Sequence, residues 1–240
     1  WKNMLTEAGY SRADIDKFVA GPGFQAWWLM NNLEGWGGPN PDRWYERQEN
    51  LCQFILGRMR ELGMEPVLPG YGGILPSNAT EKMGVQVIDQ GNWCSGFRRP
   101  SFLLPTDERY AEIAQLYYKH LEEVMGKSKY YSMDPFHEGG RTNGVNLKEA
   151  FHTIYQEMQK HAPGAVWAMQ AWGENPRQEA LDTLPKGGLL VLDLYSEGLA
   201  KWKEQKGYSE HDFVWCMLHN FGGKTGMHGR FETMLESYYN

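Results

Sequence analysis

Glu138 is the residue of this 240-residue chain whose position best suits acid–base chemistry. It follows the apolar run KYYSMDPF (129–136) and lies in the segment HEGG (137–140). A carboxylate just beyond the C-terminal end of a buried strand lies where α/β barrels carry their catalytic groups. Phe136 and His137 beside it provide surroundings that favour a general acid. A glutamate that caps the following turn is the structural alternative, and this segment alone does not decide between them.

A second carboxylate is harder to identify. Hydrolysis of a glycosidic bond needs two carboxyl groups that flank the bond, and one of them must be able to donate a proton. The candidates for the partner of Glu138 are Asp193, Glu197 and Glu174. Asp193 ends an apolar run, where a structural carboxylate bound to nearby backbone fits the pattern equally well. Glu197 lies in YSEG and could simply begin a helix, so the residues leave the partner open.

The chain is rich in aromatic residues, with ten Trp, thirteen Tyr and ten Phe. Several tryptophans, among them Trp27, Trp36, Trp93 and Trp172, lie near Gly, Asn or Pro rather than inside apolar periodicities. Aromatic rings in a polar cleft suit the axial C–H faces of sugars, whereas core packing is the alternative for any single ring. The whole set favours a carbohydrate site.

His219 and Asn220 follow the last apolar run, and as a pair they suit hydrogen bonding to sugar hydroxyl groups. A histidine that only supports the rim of a barrel explains His219 equally well. A metal-dependent hydrolase would use His137, His219 and Asp193, but no second His or carboxylate stands at a recognisable metal-ligand spacing. We therefore expect neither a metal nor another cofactor.

Charge and composition bear on other classes of protein. The formal net charge is −6 and the pI is near 5.7, so the sequence gives no electrostatic reason to expect binding to nucleic acid or to an anionic membrane. No apolar run is long enough to span a bilayer. The three cysteines, Cys52, Cys94 and Cys216, are far apart and suggest neither a disulfide framework nor a zinc site.

Helix-like and strand-like segments alternate along the chain. The predicted helices cover residues 42–62, 106–124, 146–161, 176–183 and 229–238. The predicted strands cover residues 64–69, 129–136, 165–172, 188–194 and 212–221. These strands are continuously apolar rather than alternating, which is typical of a parallel sheet covered on both faces.

Polar and aromatic residues, Tyr195 among them, come directly after the predicted strands. No G-x-G-x-x-G or Walker pattern follows any strand, which argues against a nucleotide-binding sheet. The sequence therefore predicts an α/β fold, a (β/α)8 TIM-type barrel of which the chain covers the middle strands. The functional residues are expected at the C-terminal ends of those strands.

Seven motifs, in order along nearly the whole chain, resemble the α-N-acetylglucosaminidases of glycoside hydrolase family 89. They are AGPGFQAWWLMNNLEGWGGPNP (20–41), GMEPVLPGYGG (63–73), GNWCSGFRRPSFLLP (91–105), DPFHEG (134–139), AVWAMQAW (165–172), LLVLDLYSE (189–197) and FVWCMLHNFGG (213–223). No one of them is specific, whereas the ordered set is.

The resemblance implies an exo-acting hydrolase that removes terminal α-linked N-acetylglucosamine from glycans with retention and uses two glutamates. By this match Glu138 is the acid/base. The residues expected to contact substrate are Trp27, Asn32, Trp93, His137, Trp172, Tyr195, His219 and Asn220. His137 departs from the pattern, because related barrel hydrolases often have Asn before the acid.

The family's nucleophile is a glutamate in a Pro-Glu-Gly context downstream of the HNFGG motif, and the sequence ends at Asn240 before such a segment. We expect residues 1–240 to form one catalytic barrel domain, a fragment without the first strands and the last strand. A non-catalytic carbohydrate-binding or scaffold fragment is the alternative. The resemblance also implies a secreted or periplasmic protein in a bacterium, or a lysosomal one in an animal.

Overall fold

The computed structural model describes residues 1–94, 96–218 and 229–239. Its α-helices are α1 (Lys2–Glu7), α2 (Arg12–Phe18), α3 (Gln25–Leu29), α4 (Asp42–Glu61), α5 (Ala79–Met83), α6 (Tyr110–Met125), α7 (Leu147–His161), α8 (Gln178–Thr183), α9 (Lys201–Glu204) and α10 (Phe231–Tyr239). Its strands are β1 (Val67–Pro69), β2 (Ile74–Leu75), β3 (Val87–Ile88), β4 (Asn92–Trp93), β5 (Phe97–Arg98), β6 (Ser101–Leu103), β7 (Tyr130–Ser132), β8 (Val166–Gln170), β9 (Leu189–Asp193) and β10 (Asp212–Trp215). Across these residues, no helix is both long and apolar enough to cross a membrane.

A five-stranded sheet forms the centre of the molecule, in the order β1-β7-β8-β9-β10. Every pairing in it is parallel, and each strand lies beside the next sheet strand along the chain. A doubly wound sheet reverses its strand order at a switch point, and this sheet does not. The order is that of consecutive strands in an α/β barrel.

The helices between the strands follow the same order as the sheet. Helix α4 packs beside α6, α6 beside α7, and α7 beside α8. Helix α7 buries Phe151, Ile154 and Met158, as its periodicity predicted, and the side chain of Asn146 caps it by accepting a hydrogen bond from the Glu149 amide at 3.3 Å. Such a cap stabilises a helix by about 1 kcal/mol.

Helix α6 begins later than the predicted 106–124. The carboxylate of Asp107 accepts hydrogen bonds from the backbone amides of Gln86 at 2.6 Å and Arg109 at 2.9 Å. Asp107 therefore ties the turn before the helix to the residue that precedes β3, and the helix starts at Tyr110. Its inward face is apolar, since Ile113 and Tyr117 are buried.

Strand β7 is shorter than the predicted run 129–136 and ends at Ser132. Two residues later, the buried carboxylate of Asp134 accepts hydrogen bonds from the backbone amide and the side-chain amide of Gln170, at 2.9 and 2.7 Å. These bonds fasten the chain to the end of β8, so the residues that follow leave the sheet as a loop.

Residues 71–103 form an excursion between β1 and α6 in which the sequence predicted neither a helix nor a strand. It contains two small antiparallel sheets, β2-β6-β3 and β4-β5. Its strands are two or three residues long, too short for a hydrophobic period to appear. The excursion matters for function because it carries Trp93 and Arg99 to the loop that follows β7.

Candidate active site

The loop that carries Glu138 is a strained turn beyond the end of β7. Phe136 and Glu138 both adopt left-handed backbone conformations, with φ of 58° and 45°. Such a conformation costs a residue other than glycine about 1–3 kcal/mol. Gly140 closes the turn, because a Cβ there would lie 3.0 Å from the Cα of Phe136. Surrounding residues must therefore hold the loop in place.

Three side-chain N–H groups fix the carboxylate of Glu138. Asn32 Nδ2 donates to Oε2 at 2.6 Å, and Trp93 Nε1 donates to the same oxygen at 2.7 Å. Trp172 Nε1 donates to Oε1 at 2.7 Å. These donors come from three separate segments, and all three were predicted from the sequence as substrate-binding residues. The carboxylate is thus aimed by neutral donors in a half-buried position.

The backbone of the same loop is held by two further residues. Arg99 Nη1 donates to the His137 carbonyl at 2.9 Å, and Nη2 donates to the Glu138 carbonyl. The amide of Gly139 donates to Glu174 Oε2 at 3.1 Å. Glu174, a candidate nucleophile from the sequence, therefore supports the loop that carries Glu138.

Aromatic rings form a wall that leads outwards from Trp93. The ring centroids of Trp27 and Trp93 lie 6.1 Å apart, and those of Trp93 and Phe97 lie 5.8 Å apart. Trp36 follows, 5.0 Å from Phe97. Trp27 is 39% exposed and Trp36 is 52% exposed. Aromatic surface beside a fixed carboxylate is suited to the apolar face of a sugar ring.

The other two candidate carboxylates are buried, and one oxygen of each accepts hydrogen bonds. Asp193 Oδ2 accepts hydrogen bonds from the Trp202 amide at 2.8 Å and from the Tyr208 hydroxyl at 2.9 Å. Glu197 Oε1 accepts one from the Leu218 amide at 2.8 Å. Both carboxylates tie loops to the ends of strands, which is the structural role that the sequence left open for Asp193.

The remaining predicted substrate contacts have different environments. His137 is only 2% exposed, and burial lowers the pKa of its imidazole. Tyr195 is partly buried, with its ring so close to Gly198 that a Cβ there would come within 2.2 Å. His219 and Asn220 lie outside the described residues, so their predicted roles stay predictions. In the described part of the chain, no group of three or more His, Cys, Asp or Glu side chains could hold a metal ion.

Comparison with known proteins connects this geometry to a family. A family model described as "Alpha-N-acetylglucosaminidase (NAGLU) tim-barrel domain" matches residues 1–240. The chain belongs to this family. The resemblance seen in the seven motifs and the predicted barrel class are both confirmed, and the five-stranded parallel sheet is the part of the barrel that the described residues form.

Individual members of the family are also similar to the chain. Human α-N-acetylglucosaminidase is 34% identical over 251 residues, which cover 98% of this chain and 34% of the human protein. A family 89 glycoside hydrolase from Clostridium perfringens in complex with 2-acetamido-1,2-dideoxynojirimycin matches with a TM-score of 0.88 and 38% identity, over 94% of this chain and 26% of the bacterial one. The same bacterial enzyme, with two glutamates replaced by glutamine and its substrate GlcNAc-α-1,4-galactose bound, matches with a TM-score of 0.85 and 36% identity, over 93% of this chain and 26% of that one. The chain thus spans about a third of the human relative and a quarter of the bacterial one.

Sequence reasoning missed Arg99, although it lies within one of the motifs that carry the family resemblance. Arg99 is 1% exposed, and its neighbour Arg98 carries the same charge at the surface. Nothing in the residue types FRRP distinguishes a buried arginine from an exposed one. Only the fold of the excursion 71–103 turns Arg99 inward.

Proposed function

We propose that this chain provides the acid/base side of the catalytic site of a retaining glycoside hydrolase that removes terminal α-linked N-acetylglucosamine. The single observation that carries the proposal is the carboxylate of Glu138, which is aimed by Asn32, Trp93 and Trp172 at the C-terminal end of a barrel strand. Membership of the family supports the choice of substrate, since relatives named as α-N-acetylglucosaminidases share the fold.

The proposed reaction has two steps, with Glu138 active in both. In the first, Glu138 gives its proton to the glycosidic oxygen while the C1–O bond breaks, and a second carboxylate of the enzyme forms a bond to C1. In the second, Glu138 takes a proton from water as the water oxygen bonds to C1 and the second carboxylate leaves.

The geometry of the substrate supports a nucleophile supplied by the enzyme. In an α-linked N-acetylglucosaminide the acetamido group lies cis to the leaving oxygen, so its carbonyl cannot attack C1 from the opposite face. A retaining enzyme then needs a carboxylate about 5–5.5 Å from the acid. Asp193 and Glu197 are only 1% and 8% exposed, so neither carboxylate is open to a sugar. We therefore expect the nucleophile elsewhere, in the Pro-Glu-Gly context implied by the resemblance.

The sugar itself is proposed to lie against the aromatic wall. Trp27 offers exposed ring surface beside Trp93, and Trp93 and Trp172 use their N–H groups on Glu138. The indoles thus combine two functions, since they orient the acid and present apolar ring surface to the sugar. His219 and Asn220, whose sequence motif matches the family, are proposed to bind its hydroxyl groups.

The test is hydrolysis of GlcNAc-α-1,4-galactose by the full-length protein and by its Glu138→Gln variant. We expect turnover by the wild type, and a loss of kcat/KM of about 10²–10⁴-fold in the variant, because it cannot protonate the poor leaving group. Proton NMR of the first product should show the α-anomer. Undiminished turnover by Glu138→Gln would remove the acid assignment, and a β-anomer would remove retention. An inactive wild type that still binds the disaccharide would favour the alternative, a carbohydrate-binding module.

A further inference from the structure

Arg99 is a buried cation whose side chain binds oxygens of the loop 134–140, here called the acid loop, and oxygens of Asn31 and Asn32. Its side chain donates to four oxygens: the Asn31 carbonyl at 3.3 Å, Asn32 Oδ1 at 2.9 Å, the His137 carbonyl at 2.9 Å and the Glu138 carbonyl. None of these acceptors is a carboxylate. Removing a guanidinium from water costs about as much as its hydrogen bonds in the interior gain, so a buried arginine stabilises a fold little more than a well-packed apolar residue does.

These contacts determine which way the amide of Asn32 points. Because Asn32 Oδ1 accepts from Arg99, its Nδ2 faces Glu138 Oε2, where it donates at 2.6 Å. With Arg99 absent, one of the two contacts that disfavour the opposite orientation of the amide is lost. An oxygen would then face the carboxylate of Glu138 and repel it.

The same guanidinium binds two consecutive backbone carbonyls of the turn. The two carbonyls that it binds belong to His137 and Glu138, and Glu138 has the left-handed φ of 45°. The planar fork of arginine can reach several oxygens at once, which the point charge of a lysine cannot. One side chain therefore sets both the position of the acid's backbone and the orientation of one of its three side-chain donors.

We propose that Arg99 is a positioning residue for proton transfer by Glu138, an inference that rests on the function proposed above. Arg99 binds backbone carbonyls and the side chain of Asn32, and none of these hydrogen bonds is to the carboxylate of Glu138. Its loss should therefore impair protonation of the leaving oxygen more than it impairs binding of the sugar. Displacement of a catalytic group by as little as 1 Å can cost about 100-fold in rate.

The test compares two substrates that differ in their need for an acid. GlcNAc-α-1,4-galactose has a poor leaving group that must be protonated. The 2,4-dinitrophenolate of 2,4-dinitrophenyl α-N-acetylglucosaminide leaves without protonation. The quantity measured is the ratio of their kcat/KM values in the full-length protein. The folded fraction of a variant cancels in this ratio, so a mere loss of stability does not change it.

The variants are Arg99→Met, Arg99→Lys and the matched control Arg98→Met, whose native side chain is 63% exposed and lies 3.7 Å from Glu34. In Arg99→Met we expect the disaccharide to lose about 100-fold in kcat/KM and the dinitrophenyl substrate less than about fivefold. Arg99→Lys keeps the charge without the fork and should lose about tenfold on the disaccharide alone. Arg98→Met should change neither value by more than about twofold.

Equal losses on the two substrates, or no loss, would overturn the inference. If Arg99→Met yields no folded protein, the ratio for Arg99→Lys decides alone. Glu138→Gln separates this outcome from failure of the proposed function. The proposed function itself is wrong if the wild type is inactive on both substrates. It is also wrong if Glu138→Gln loses the same factor in kcat/KM on both. If the loss of kcat/KM depends on the leaving group in Glu138→Gln but in neither Arg99 variant, the proposed function stands and only the role of Arg99 is wrong.

Discussion

Glu138 and Asp193 are both carboxylates at the ends of parallel strands, yet their surroundings differ completely. Glu138 is half-buried and receives three hydrogen bonds from side chains of separate segments. Asp193 is 1% exposed and is bound by a backbone amide and by Tyr208 within the next 15 residues of the chain. The comparison teaches that position at a strand end does not define a catalytic carboxylate. What distinguishes Glu138, the proposed acid/base, is its partial exposure and the donors that reach it from distant segments of the sequence.

Among the substitutions considered, Glu138→Ala should reduce catalysis most. We expect kcat/KM for GlcNAc-α-1,4-galactose to fall by about 10²–10⁴-fold. With 4-nitrophenyl α-N-acetylglucosaminide, added azide should restore turnover, because it can bond to C1 of the glycosyl-enzyme without a general base. The product should be the α-glycosyl azide, identified by NMR. Rescue of Asp193→Ala by azide, or a β-azide from Glu138→Ala, would break the comparison.

Removal of one donor should cost less than removal of the acid. Trp172→Phe keeps an aromatic ring but deletes the N–H that binds Glu138 Oε1. A hydrogen bond to a charged group is worth about 1.5–3 kcal/mol, so kcat/KM for the disaccharide should fall about tenfold or more. Trp44→Phe, on helix α4 and outside the aromatic wall, is the matched control. Equal effects of the two changes would contradict the role of the Trp172 N–H.

Asp193→Asn should affect stability and leave the chemistry intact. It weakens the acceptor of the Trp202 amide and the Tyr208 hydroxyl, so the free energy of unfolding should fall by about 1–3 kcal/mol. Denaturant unfolding measures this loss. The ratio of kcat/KM for the disaccharide and the dinitrophenyl substrate should stay at the wild-type value, and a changed ratio would give Asp193 a part in catalysis.

The smallest effect concerns His137, where burial lowers the pKa of the imidazole in the folded state. The unfolded chain then binds a proton more readily than the folded one, so His137 reduces stability as pH falls below about 6.5. The difference in unfolding free energy between wild type and His137→Asn should therefore shift against the wild type between pH 7.5 and 5. Burial raises the pKa of Asp134, which stabilises the fold as pH falls, and the charge of His137 opposes that rise. Asp134 should therefore titrate higher still in His137→Asn, which adds to the same shift. A difference independent of pH would show that His137 titrates normally.

Periodicity predicted the long elements of the fold well. Helices α4 and α7 lie within one residue of their predicted bounds, because each extends over several turns with apolar residues at helical spacing. Strand ends were less predictable, as at β7, where the side chain of Asp134 ends the sheet. Helices α1 and α2 were not predicted, since six or seven residues carry too little pattern.

The site was predictable to the extent that single residues carry a signal. Asn32, Trp93 and Trp172 were identified through the resemblance and do converge on Glu138. Arg99 was not, because its importance depends on a tertiary contact over 38 or more residues of sequence. A buried cation that binds carbonyls has no local sequence pattern.

The excursion 71–103 has a consequence for engineering. It supplies Trp93 to the carboxylate and Arg99 to the backbone of the acid loop, while Asn32 comes from the segment before β1. The smallest transplantable unit is therefore not the loop 134–140 alone. A graft of that loop onto another barrel would carry the glutamate without its supports, so a designer would have to move the excursion, the residues around Asn32 and the end of β8 together.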